Sequence, residues 1–261
     1  MVFVPFVDDT KMAILTRTLQ QNSWLISAAL FVALGTLLLL SPAEATLGNV
    51  VKIVYAHGAA ERVATYAYLI AGGLGVANVS LRGAQFATKH SPSVADSASP
   101  KELATLAPHI SAGVTTTLAR WTEAVAETAI VFWLAQFIIS APAQVLAWGA
   151  FTLSEPRVAS ALVVLSATAL VYVVARWLGD PTWMSLAAIA NAAILVIVLR
   201  GAINILHPVD PIIGSDSPAI KVFYAAIVVV MGLLALQFAR DRAAVETAST
   251  TAQSRPSSAS G

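Results

Sequence analysis

Trp148-Gly149-Ala150-Phe151-Thr152-Leu153-Ser154-Glu155-Pro156-Arg157 is a short amphipathic stretch between two long apolar runs, residues 124–140 and 158–175. Each run is about as long as the 17–25 residues an α-helix needs to cross a hydrocarbon core. Working outward, four more such runs appear at about 24–40, 63–79, 184–206 and 222–239. The sequence therefore predicts an all-α membrane protein with six transmembrane helices spread over residues 1–240. A Ser/Thr/Ala-rich tail, 241–261, is expected to be disordered and cytoplasmic. Arg82–Arg120 is polar, and Ser99-Pro100-Lys101-Glu102 reads as an N-cap, a first-turn proline and a capping-box glutamate. A short surface helix is expected there, with Leu103–Leu118 lying at the interface and not crossing. Pro142 is expected to close the third run. Arg176-Trp177-Leu178-Gly179-Asp180-Pro181 reads as a tight turn, glycine ending one helix and Asp-Pro opening the next.

Composition supports this class. The 261 residues are 57% hydrophobic and 11% charged, against about 25% charged in soluble domains. Mean hydropathy is +0.77. A net charge of +1 gives no electrostatic case for a nucleic-acid partner. With no cysteine, the chain has neither disulfides nor thiol ligands of its own. With the N-terminus inside, ten of the 15 Lys and Arg residues fall on the inner side. Lys52, Arg62, Arg157, Arg200 and Lys221 fall outside. The positive-inside rule then places both termini in the cytoplasm.

In that topology His57, the Trp148–Arg157 loop and His207 share the outer face, whereas His90 and His109 lie inside. Two histidines at one depth have the chemistry to ligate one heme iron from opposite sides. Trp148 and Phe151 offer apolar walls, and Arg157, Arg62 and Lys52 offer partners for the propionates. The plainer alternative is that each histidine is an interfacial side chain bonded to backbone or water. Trp24, Trp121, Trp177 and Trp183 read as belt residues. Glu123 and Glu127, one helical turn apart, read as solvated charges near the inner surface. Asn78, Gln136 and Asn191 are the few polar groups at mid-membrane that a solute permease could use.

Three segments carry a resemblance to a known family: Pro42 through His57, Trp148 through Leu162, and Arg200 through Pro208. In order and spacing they resemble the CcmC (heme exporter protein C) family of cytochrome c maturation, heme handlers with a tryptophan-rich outer loop. The likeness covers residues 25–240, with Trp121 through Glu127 similar to that family's approach to its third span. It implies a non-enzymatic protein of the cytoplasmic (inner) membrane that holds heme b transiently and non-covalently. The axial ligands would be His57 and His207, and Trp148, Phe151 and Arg157 would belong to the platform. Heme would be presented outside to a heme chaperone of the CcmE type, beside an ABC-type CcmA/CcmB complex and within membrane lipid. The chain departs from the family pattern at Phe151, Thr152 and Ser154, where tryptophan is usual, and at Glu155, where aspartate is usual. Weaker heme binding is the expected consequence. A scaffold that has lost heme, and a permease subunit without a cofactor, are the alternative functions.

Overall fold

The computed structural model describes residues 22–89, 101–202, 212 and 214–253. Six helices account for nearly all of them: α1 (Ser23–Leu40), α2 (Val51–Lys89), α3 (Lys101–Trp148), α4 (Pro156–Leu178), α5 (Pro181–Gly201) and α6 (Pro218–Gln253). All six contain a stretch long and apolar enough to cross a membrane, so the chain is a multi-pass membrane protein. There is no strand among the described residues; a single isolated bridge joins Glu44 and Gly48.

The expected runs are all present, but their bounds differ. α2 begins at Val51, twelve residues before the apolar run, so His57, Glu61 and Arg62 are helical and not in a loop. α3 is one helix of 48 residues. The separate surface helix expected near Lys101 is therefore its first turns, and Ser99 and Pro100 lie outside the described residues. At 1.5 Å per residue α3 is about 72 Å long, well beyond a hydrocarbon core of about 30 Å. Pro142 does not end it, because a proline inside a membrane helix removes one backbone bond that neighbouring groups can replace. α5 ends at Gly201, and residues 203–206 lie outside the described residues. α6 continues to Gln253, so residues 241–253, expected to be disordered, are helical.

The turn between α4 and α5 forms as its residues demand. Gly179 takes a left-handed φ of 73° and its N–H returns to the Arg176 carbonyl. Asp180 caps α5 by accepting from the Thr182 N–H at 2.6 Å, with Pro181 at the first helical position.

α2 and α3 form the central antiparallel pair; α2 also meets α1, α5 and α6, and α3 meets α4, α5 and α6. Trp133 and Tyr68 meet edge to face, with ring centroids 6.0 Å apart. Each also satisfies its polar end: Trp133 Nε1 donates to the Ala161 carbonyl at 2.9 Å, and the Tyr68 and Thr168 hydroxyls lie 2.8 Å apart. α1 lies at the edge against α6, tied there by Ser23 Oγ donating to Asp241. Glu123 and Glu127, expected to be solvated, are ion-paired instead: Arg176 pairs with both, Arg242 binds Glu127 with two nitrogens, and Tyr172 donates to Glu127.

α2 and α5 approach each other closely at two glycines. A methyl group on Gly75 would stand 2.5 Å from the Ser185 carbonyl oxygen, and one on Gly72 would stand 2.7 Å from the Ala192 methyl. Gly75→Ala should therefore lower thermal stability in detergent by about 1–3 kcal/mol, the usual cost of overpacking. Gly73→Ala, which meets nothing within 4 Å, should be neutral or slightly stabilising.

Candidate functional site

One end of the bundle carries the α1–α2 loop, the α3–α4 loop and the segment before α6. In the first loop, Glu44 Oε2 accepts from the Thr46 and Leu47 N–H groups, both at 2.8 Å. Gly48 closes that turn at φ 55°. Lys52 Nζ donates to the Leu39 carbonyl at 2.7 Å, so this lysine caps the end of α1. In the second loop Gly149 takes φ 80°, and Glu155 caps α4 by accepting from the Val158 N–H at 2.8 Å. Glu155 is buried. Its place in this chain is that of a helix cap.

Between these elements lies a cavity of about 860 Å³. It is at the upper end of the range of about 300–1,000 Å³ usual for small-molecule sites. His57, Trp148 and Arg157 all line it. The structure thus brings together three of the five residues singled out in the sequence. Phe151 is not among the lining residues; a left-handed turn at Gly149 stands between it and Trp148. His207 lies outside the described residues. The chain just beyond it does reach the cavity, where Ile212, Gly214, Ser215 and Asp216 form part of the wall.

His57 sits on the second turn of α2, and its Nδ1 lies 3.1 Å from the Gln136 carbonyl of α3. A carbonyl can only accept, so Nδ1 carries the proton, and in the neutral ring Nε2 keeps its lone pair. Four residues on, Glu61 faces Arg157 of α4 at 3.8 Å, an ion pair with both side chains partly exposed. Arg62 donates from Nε to the Tyr224 hydroxyl at 2.8 Å and lies 5.5 Å from that ring's centroid. Tyr55, Tyr66 and Tyr224 add aromatic wall, and Glu44 and Asp216 add negative charge. Among the described residues no three His, Asp or Glu side chains converge to hold a bare metal ion.

Sequence reasoning missed Glu61, Tyr224 and the tyrosine walls. Glu61 had a signal, since it follows His57 by one helical turn. Tyr224 had none, because 162 residues separate it from Arg62. No protein-family model, no curated protein and no solved structure matches this chain.

The backbone N–H groups of Leu47 and Thr46 hold the Glu44 carboxyl below its ordinary value. A depressed carboxyl contributes order above its unfolded value and loses it as pH falls through the folded one. The Thr46 and Leu47 amide resonances should therefore stay fixed through the ordinary carboxylate range and move together only below it. Movement within that range would show that these N–H groups do not hold the carboxyl below its ordinary value.

Proposed function

We propose that this is a heme-handling protein of the cytoplasmic membrane, which holds heme b in the 860 Å³ cavity and presents it on the extracytoplasmic side. The observation that carries the reading is the meeting of His57, from α2, with Trp148 and Arg157, from the two ends of the α3–α4 loop, in one cavity. The residues fit the group. His57 offers Nε2 to iron while the Gln136 carbonyl fixes its tautomer, the arrangement usual for metal-bound imidazoles. Trp148, Tyr55, Tyr66 and Tyr224 offer flat apolar walls, and Arg62 and Arg157 offer guanidinium groups to the two propionates. Heme supplies the redox-active iron; the chain's part is to bind, orient and release it. His207 would be the second residue to hold the iron. The cavity opens outward, both termini lie in the cytoplasm, and the recipient is a heme chaperone of the CcmE type working beside an ABC-type CcmA/CcmB complex. The weight of Lys and Arg on the opposite side supports this orientation. The loss of most platform aromatics, each stacked ring giving about 0.5–1.5 kcal/mol beyond its area, predicts weak, transient holding.

The test is spectroscopic. Protein produced with abundant heme should show a Soret band of low-spin, six-coordinate iron. His57→Ala and His207→Ala should each abolish the low-spin spectrum, and Arg157→Ala should lower affinity while keeping it. A preparation without a Soret band at micromolar protein would leave the scaffold reading in its place.

Orientation is tested separately. The chain has no cysteine. Single cysteines at Thr46 and Ser215 should react with an impermeant thiol reagent added outside, and one at Ser93 should not. The reverse pattern would put the cavity on the cytoplasmic side.

A further inference from the structure

Gln136 is 2% exposed, and its side-chain Nε2 has no hydrogen-bond partner among the described residues. A buried amide N–H without a partner is strongly disfavoured, so a group this deep points to something that satisfies it. Gln136 lines a second, smaller cavity of about 30 Å³. His57, Glu61, Ser140, Gln144 and Arg157 line both that cavity and the large one, so the small one is an annexe behind a shared polar wall. Its far side is apolar: Trp133, Val158, Ala161 and Leu199. Gln136 lies twelve residues before the end of α3, about 18 Å along the helix, so the annexe reaches well into the bundle.

We propose that the annexe is a binding site for one ordered water, held by the Gln136 side-chain amide and shared with Glu61. By this measure of volume a water needs about 10–15 Å³ and two to four polar partners. The annexe has the room, and Glu61, Ser140 and Gln144 supply acceptors around the Gln136 donor. Water satisfies the amide whichever of its two ends faces the annexe, because water both donates and accepts. A small anion satisfies only the N–H end and meets the Glu61 carboxylate besides. With the water in place, Glu61 is held from two sides, by Arg157 and by the water. The floor of the large cavity then stays polar and hydrated around His57. The site does not depend on heme and stands or falls separately from that reading.

Hydroxyl-radical footprinting of the full chain in nanodiscs tests it, because radiolysis of a trapped water labels the side chains beside it. Trp133, 1% exposed, should be oxidised readily in the wild type and several-fold more slowly in Gln136→Leu, while exposed Trp148 is labelled equally in both. Equal Trp133 labelling in the two proteins, or none in the wild type, overturns the proposal. A map of the wild type at water-resolving resolution decides it without any variant. One peak within hydrogen-bond reach of the Gln136 amide and Glu61 is expected. An empty annexe, or a peak that strengthens after exchange into bromide, overturns it.

Discussion

The arrangement of the molecule depends on how closely α2 can lie against α5. At Gly72 and Gly75 the neighbouring helix occupies the space that a β-carbon would take. Lipid gives apolar helices little hydrophobic reason to associate, so close backbone packing and interhelical hydrogen bonds take over that role. The contact also fixes the rotation of α2 about its axis. At 100° per residue, His57, Glu61, Tyr68, Gly72 and Gly75 fall within a stripe about 60° wide. One contact thus turns the glycines to α5, Tyr68 to the core, and the His57–Glu61 pair to the cavity. Asn78, 0% exposed, extends the seam by donating to the Ser185 hydroxyl at 2.8 Å.

The two ends of the bundle use charge in opposite ways. At one end Glu123, Glu127, Tyr172, Arg176 and Arg242 satisfy one another across α3, α4 and α6. Two guanidiniums offset two carboxylates, and Glu127 is the more enclosed of the acids. With both guanidiniums about half exposed, each single pair contributes little, and what the network adds is the linking of three helices through shared partners. At the other end the charged groups line an open cavity, and turns or rings hold some of them: Glu44 by backbone N–H groups, Arg62 by Tyr224. Ions at that end remain where a solute can reach them.

How much of this the sequence revealed follows from the same physics. The six spans were legible because a hydrocarbon core demands a run of about twenty apolar residues, and all six stand out. Apart from the turn at Gly179–Pro181, whose capping residues announce it, most helix ends were not legible, because nothing stops a helix at the membrane surface. Residues 51–62 look polar beside the run that follows, yet they continue α2 and carry much of the cavity wall. Pro142 and the polar 241–253 stretch likewise sit inside helices. Of the site, His57, Trp148 and Arg157 were found because a histidine and an arginine at span boundaries are costly choices. Phe151 was placed by adjacency to Trp148, and a left-handed turn at Gly149 stands between them. Gln136 was noticed only as a polar residue in an apolar run. Its link to His57 spans 79 residues and no local pattern announces it.

The ion pair between Glu61 and Arg157 bears on what the cavity holds. The lining has three carboxylates, on Glu44, Glu61 and Asp216, against two guanidiniums. That balance does not by itself draw in an anionic ligand. Yet Glu61 and Arg157 are 3.8 Å apart and partly exposed, a class of pair that contributes about 0–1 kcal/mol. A ligand carboxylate that takes Arg157 in bidentate fashion gains a charge-assisted bond of about 1.5–3 kcal/mol. Exchange of Glu61 for such a ligand is therefore favourable but small. Under the heme proposal this is the energetics of a protein that passes its ligand on: His57 supplies the directional bond, Arg157 a modest and reversible one, and Glu61 stands ready to take Arg157 back when the ligand leaves.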